Sequence, residues 1–123
     1  MPHEQNTQKV ALVTGGATGI GRAVCERLAD IGVGNIVVNY SKSEDAAQEV
    51  VALLEGKGRT ALAVQTDISD SDAVSAMIAS IESRYGRLDY LVNNAGVTKL
   101  IPFTNVDDVT ADVWSSILDT NLL

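Results

Sequence analysis

One stretch limits this chain more than any other: Lys9 to Gly21, KVALVTGGATGIG. Val10 to Thr14 is a short apolar run rich in β-branched residues, the composition of a strand buried on both faces. Gly15, Gly19 and Gly21 follow, and from Ile20 onward apolar residues recur at helical spacing as Ile20, Val24, Leu28 and Ile31. Strand, glycine loop and helix start therefore lie in succession. Such a junction suits an anion, because a helix N-terminus offers unpaired N–H groups and partial positive charge, and glycine lets a bulky phosphate reach the backbone. The spacing G-x-x-x-G-x-G differs from the G-x-G-x-x-G dinucleotide fingerprint, and glycines in a tight turn can also answer a purely steric need.

The rest of the chain repeats the pattern. Asn35 to Asn39 reads as a second buried strand, Ser41 with Glu44 has capping-box form, and Ala47, Val50, Val51 and Leu54 mark one face of a second helix. Gly56-Lys57-Gly58 stops that helix. Thr60 to Gln65 is a third strand, and Ser69 or Asp70 can cap a third helix striped by Val74, Met77, Ile78, Ile81 and Tyr85. Leu88 to Val92 is the fourth strand and runs into Asn93-Asn94-Ala95-Gly96. A loop from Val97 to Val109 then precedes a last helix beginning near Thr110, with Trp114, Ile117, Leu118 and Asn121 on one face.

Strict alternation of strand and helix predicts an α/β fold: a Rossmann-like, doubly wound parallel sheet with helices on both faces. Its ligand crevice lies at the carboxyl ends of the strands where their order reverses, here between the first and fourth. The organisation expected is a polar leader at 1–8 and one domain over 9–123 that stops after the fourth strand and the following helix. That ending leaves the fourth strand as a hydrophobic edge with unpaired backbone groups, which invites association.

Composition excludes some classes of function. Nine Lys and Arg against sixteen Asp and Glu give a net charge of −7, which argues against nucleic acid or an acidic membrane surface as the main partner. A phosphate site here must work by local geometry. No His, Cys and carboxylate pattern suggests a metal. The lone Cys25 cannot close an intramolecular disulfide and reads as core packing in the first helix. His3 sits in a leader, MPHEQNTQ, without the basic start or apolar stretch of a signal peptide, and no apolar run approaches the ~18 residues of a membrane span. A soluble cytoplasmic protein is expected.

Four separate elements, in this order, carry a resemblance: TGGATGIG at Thr14 to Gly21, Asp67 after the third strand, NNAG at Asn93 to Gly96, and Asn121. Together they resemble the short-chain dehydrogenase/reductase family, from about Lys9 to the last residue. The wording VVNYSKSEDAAQEVV, GRLDYLVNNAG and WSSILDTNL looks most like that family's 3-oxoacyl-acyl carrier protein reductases. The resemblance implies a nicotinamide dinucleotide held in the crevice, with 9–123 as the N-terminal, cofactor-binding half of the domain.

Gly15, Gly19 and Gly21 would bring backbone N–H groups to the diphosphate, Thr18 would add a hydroxyl, and Ile20 would lie against the nicotinamide side; plain loop and core roles stay open for Thr18 and Ile20. At the end of the second strand, Asn39, Tyr40, Ser41 and Lys42 contain no acid of the kind that NAD-selective sites use. The serine hydroxyl and the Lys42 charge suit the extra phosphate of NADP, which is favoured over NAD, although Lys42 also fits a solvated helix start. By resemblance Asp67 would accept from the adenine amino group with Ile68 beside the ring, and Asp67 suits helix capping equally. Asn93, Ala95 and Gly96 are expected at the cofactor: small Ala95 and Gly96 would let its ribose approach the backbone, and Asn93 and Asn94 can tie neighbouring strand ends through their amides, where an isolated NNAG would be an ordinary turn.

Asn121 is the one catalytic candidate, implied by the family to order a water in a proton relay, with a structural amide as the alternative. Tyr40, Tyr85 and Tyr90 all lack a lysine four residues later, so no Tyr-x-x-x-Lys pair is present. The expected function is therefore an NADP(H)-dependent oxidoreductase acting on a small-molecule or acyl-carrier-linked carbonyl, assembled as a homo-oligomer, with these residues alone inactive. The alternatives are a non-catalytic dinucleotide-binding module and an inactive truncated fragment.

Overall fold

A computed structural model of the chain describes residues 7–94 and the backbone of 99–102. Among the described residues five strands form one sheet in the order β3-β2-β1-β4-β5. They are β1 (Val10–Thr14), β2 (Asn35–Tyr40), β3 (Thr60–Gln65), β4 (Tyr90–Asn93) and β5 (Lys99–Pro102). The helices α1 (Gly19–Asp30), α2 (Glu44–Gly56) and α3 (Ser71–Tyr85) connect the first four strands in turn. These four are mutually parallel, as the alternation of elements requires.

Because side chains alternate across a strand, β1 feeds two cores. Ala11 and Val13 join Ile36 and Val38 beneath α1 and α2, with Cys25, Leu28, Ala47, Val50 and Leu54 packed on them. Val10 and Leu12 join Val37 and Leu91 on the other face, under Val74, Met77, Ile78 and Ile81 of α3. Every residue of β1 is buried, which explains its unbroken apolar run.

Three local expectations are corrected. The buried face of α1 runs through Gly21, Cys25, Leu28 and Ala29, one position round from the expected stripe, and Ile20 and Ile31 stand 66% and 48% exposed. Small residues let this helix lie close to the sheet, and an apolar count overlooks them. The N-cap of α2 is Ser43, not Ser41, and its side chain makes no capping bond; Glu44 and Asp45 occupy the first turn. Within the expected loop 97–109, Lys99–Pro102 forms β5, antiparallel to β4, with Asn93 opposite Lys99 and Tyr90 opposite Pro102. The predicted bare edge at β4 is thus paired, which satisfies backbone groups that would otherwise face no partner. A four-residue strand with a lysine and a proline shows too little alternation to be read beforehand, and proline is tolerated at such an outer strand. The helix expected from Thr110 lies outside the described residues.

At the amino ends of β1 and β4 the sheet is fastened by polar groups. Val10 N donates to Asp89 Oδ2 at 2.8 Å, Arg87 holds the same carboxylate at 2.7 and 2.8 Å, and Lys9 Nζ donates to the Tyr90 hydroxyl at 2.9 Å. The glycine loop lies at the opposite, carboxyl end.

Candidate functional site

The register brings the carboxyl ends of β1 and β4 level, Thr14 beside Asn93, and those of β2 and β3 level, Tyr40 beside Gln65. The loop between β1 and α1 emerges among them. Gly15 and Gly19 adopt φ of +62° and +58°, in the left-handed region where a side chain is strained. Gly21 is required for a different reason: a Cβ there would lie 2.1 Å from the Gly15 carbonyl oxygen, so only glycine lets the helix start fold back onto the loop.

Several side chains hold this loop from below. The Gly15 N–H donates to Asn39 Oδ1 at 3.2 Å and the Gly16 N–H to the Asn39 carbonyl at 3.0 Å. Asn94 Nδ2 donates to the Gly15 carbonyl at 3.2 Å, and Asn94 N donates to Thr14 Oγ1 at 3.0 Å. Thr14 Oγ1 in turn donates to Asn93 Oδ1 at 3.2 Å. Cys25, fully buried, places its Sγ 3.8 Å from the Gly16 carbonyl, and burial pushes its thiol pKa up to about 12, with Glu26 adding to the shift. That thiol packs; it is not poised as a nucleophile.

The start of α1 is left open. Its first helical hydrogen bond runs from Arg22 N to the Thr18 carbonyl at 3.3 Å, so the amides of Gly19, Ile20 and Gly21 precede the ladder. Thr18 occupies the N-cap position, but its side chain caps none of them, and no acidic residue stands in the first turn. The donors expected at the glycine loop are therefore redistributed. Gly15 spends its N–H on Asn39, and the groups able to meet an anion are those of the helix start. A glycine turn that a Cβ would fill, followed by uncapped helical amides, fits a diphosphate.

The other expected residues fall on both sides of this opening. Ser41 and Lys42 are exposed on the β2–α2 loop, where Gln65 Nε2 donates to the Ser41 carbonyl at 2.9 Å. Asp67 is exposed beyond β3 and accepts from the Ser69 hydroxyl at 2.6 Å and the Ser69 amide at 2.9 Å. Those two bonds hold its carboxyl below the ordinary carboxylate range, and the Lys42 charge adds to the effect. The capping alternative for Asp67 fails, because α3 is capped by Asp70, whose carboxylate accepts from Asp72 N and Ala73 N. Ile68 is half-buried against the α3 core. Asn39 and Tyr40 face inward, at 2% and 8% exposure. Ile20 projects into solvent at the helix start. Ala95, Gly96 and Asn121 lie outside the described residues.

Sequence reasoning passed over Thr14 and the particular partner of Asn94. Thr14, a hydroxyl ending an otherwise apolar buried strand, was the available signal for the first. The tie between neighbouring strand ends expected of the two asparagines is made by Asn94, and only the choice of the Gly15 carbonyl as its acceptor needed β1 and β4 side by side. Among the described residues no group of three or more His, Cys, Asp or Glu could hold a metal, and no helix is long and apolar enough to cross a membrane.

Residues 9–123 match the family profile described as short chain dehydrogenase. The chain belongs to the short-chain dehydrogenase family. It is 41% identical over 114 residues to the 3-oxoacyl-acyl-carrier-protein reductase FabG of Staphylococcus aureus, which covers 93% of this chain and 45% of that protein. It is 44% identical over 105 residues to the short-chain dehydrogenase/reductase homolog YusS of Bacillus subtilis, covering 85% of this chain and 95% of that protein. The crystal structure of a short chain dehydrogenase from Burkholderia cenocepacia in complex with NADP superposes with a TM-score of 0.69 at 42% identity, over 91% of this chain and 44% of that one. The chain thus spans a little under half the length of the FabG reductases it matches. The doubly wound sheet expected for this chain stands, with β5 added at its edge.

Proposed function

We propose that this chain carries the nucleotide-binding part of an NADP(H)-dependent oxidoreductase of the short-chain type, active on a carbonyl or alcohol. The observation that carries this is the uncapped start of α1 behind a glycine turn, at the carboxyl ends of β1, β2 and β4. Support for NADP comes from Lys42 and Ser41 at the end of β2, with no acid before Glu44, and from the NADP and NADPH bound in related crystal structures. Gly19, Ile20 and Gly21 would hold the diphosphate through main-chain amides, Thr18 would contribute its hydroxyl, and Lys42 the charge for the ribose phosphate. Asp67, ionised at neutral pH, would accept from the adenine amino group with Ile68 beside the ring. Asn93, Ala95 and Gly96 would border the ribose, and Asn121 would order a water near the reacting carbonyl. Bound there, the nicotinamide supplies or accepts the hydride.

Proton transfer to the developing alkoxide needs a positioned acid, and this sequence contains no Tyr-x-x-x-Lys. The 123-residue chain is accordingly expected to bind dinucleotide without turnover. The FabG relatives are named for a 3-oxoacyl chain on a carrier protein, and the proposal extends that substrate class to the whole protein, with a cytoplasmic setting and a homo-oligomeric assembly as further parts of it. The likeness to YusS, of which the matched region makes up 95%, favours a second reading as a dinucleotide-binding module without catalysis. Fluorescence titration with NADPH, NADH and ADP-ribose tests the site common to both. Saturable binding, tighter for NADPH than NADH, is expected; a folded sample that binds none of the three would refute it. Oxidation of NADPH by the chain with a 3-oxoacyl thioester would reject the module.

A further inference from the structure

Asn39 was expected among the cofactor contacts, yet it lies 2% exposed at the end of β2 and its amide is used within the protein. Oδ1 accepts from the Gly15 N–H at 3.2 Å, while Nδ2 donates to the Thr66 carbonyl at 3.2 Å and faces the Val64 carbonyl at 3.4 Å. Its main-chain carbonyl also takes the Gly16 N–H at 3.0 Å. One side chain therefore connects the glycine loop after β1 to the turn after β3 that carries Asp67 and Ile68. No other described side chain bonds both segments. Met77 Sδ, 3.9 Å from Nδ2, closes the apolar side of the pocket around it.

The geometry points to Asn39 as a positioning residue that fixes the distance between the diphosphate end and the adenine end of the site without touching the nucleotide. This rests on the dinucleotide reading above. An amide is suited to the task because it presents an acceptor and a donor in one rigid plane, and both find partners. Carboxylate in its place would keep the acceptor toward Gly15 but turn an oxygen toward the Thr66 carbonyl, leaving a buried charge beside two acceptors. A hydrophobic residue would leave the Gly15 N–H and the Thr66 carbonyl to separate.

The test compares the full chain with Asn39→Ala and Asn39→Asp, reading Kd for NADPH, NADH and ADP-ribose by fluorescence or calorimetry alongside ¹H–¹⁵N spectra. ADP-ribose spans both ends of the site, so all three ligands are expected to weaken by the same factor, about tenfold, with amide shifts confined to Gly15, Gly16 and the 66–69 turn. In the wild-type complex no nuclear Overhauser contact is expected between the Asn39 amide protons and the ligand. Should Asn39→Ala fail to fold, Asn39→Asp, which conserves volume, is expected to give the same uniform loss. Unchanged affinity in a folded variant with those same amides displaced would reduce Asn39 to a fold-only role and overturn the proposal. A direct Overhauser contact, or a loss confined to NADPH, would make it a ligand contact and overturn the proposal equally. Absence of saturable binding by the wild-type chain removes the dinucleotide reading itself, and this inference with it.

Discussion

Two helix starts in this molecule solve the same problem in opposite ways. At α3, Asp70 accepts from Asp72 N and Ala73 N, and Asp72 adds negative charge in the first turn. At α1, Thr18 makes no capping bond, the first turn is free of acid, and two glycines stand in it. A capped start has its donors satisfied and its dipole answered, so it serves stability. An uncapped start behind a turn that admits no Cβ leaves donors and partial positive charge for something else. The start of α2 lies between them, uncapped by Ser43 but with Glu44 and Asp45 in its first turn. Of the three helices among the described residues, only α1 combines open donors, no local acid and glycine access.

The largest expected break in this contrast comes from Gly21→Val. Its Cβ would meet the Gly15 carbonyl carbon and oxygen, both backbone atoms, so the loop must move. Denaturant unfolding is expected to show a loss on the order of 1–3 kcal/mol, and NADPH titration a loss of measurable binding. Unchanged affinity in a folded variant would separate the loop from the site. Next comes Asp70→Ala, expected to cost about 1 kcal/mol of stability while leaving NADPH affinity as it was. Thr18→Asp should act in the opposite sense, because it supplies the missing cap: the ligand-free chain gains about 0.5–1 kcal/mol, and NADPH and NADH both bind less well. A smaller and selective effect is expected from Lys42→Ala, which should weaken NADPH more than NADH; equal losses would remove Lys42 from the phosphate site.

The smallest effect concerns pH. Asp67 is held below the ordinary carboxylate range chiefly by Ser69. A carboxyl whose folded pKa is depressed adds stability above its unfolded value, near ~3.9, and that contribution fades as pH falls through the folded value. Since Asp67 is exposed, the change in stability should be slight. A carboxyl-carbon NMR titration is expected to give a midpoint below the usual range that returns toward it in Ser69→Ala. No movement in that variant would assign the shift elsewhere.

Much of this arrangement was legible in the sequence, because the features that set it are local and repeated. The apolar run of Val10 to Val13, the Thr60 to Gln65 run and the Val74 to Tyr85 stripe each carry one pattern over enough residues to identify the element. What escaped was what depends on contact. The inner face of α1 uses Gly21 and Ala29, whose smallness, not hydrophobicity, puts them there. The choice of Ser43 over Ser41, and between Ser69 and Asp70, both of which the sequence offered as the α3 cap, turns on backbone angles that neighbouring polar residues do not reveal. Strand β5 exists because β4 offers it an edge. The parts of the site split the same way: glycines, the exposed Lys42 and Asp67, and a tie between strand ends through the NNAG asparagines were readable from position, whereas the inward Asn39 and the Gly15 carbonyl as the acceptor for Asn94 required knowing which strands are neighbours.

The most direct measurement is a backbone ¹H–¹⁵N spectrum of the chain recorded during addition of NADPH. Saturable shifts at Gly19, Ile20 and Gly21, with Asp72 and Ala73 at the start of α3 unmoved, are the predicted result. Saturable binding that leaves the α1 amides in place, or moves both helix starts alike, would contradict it.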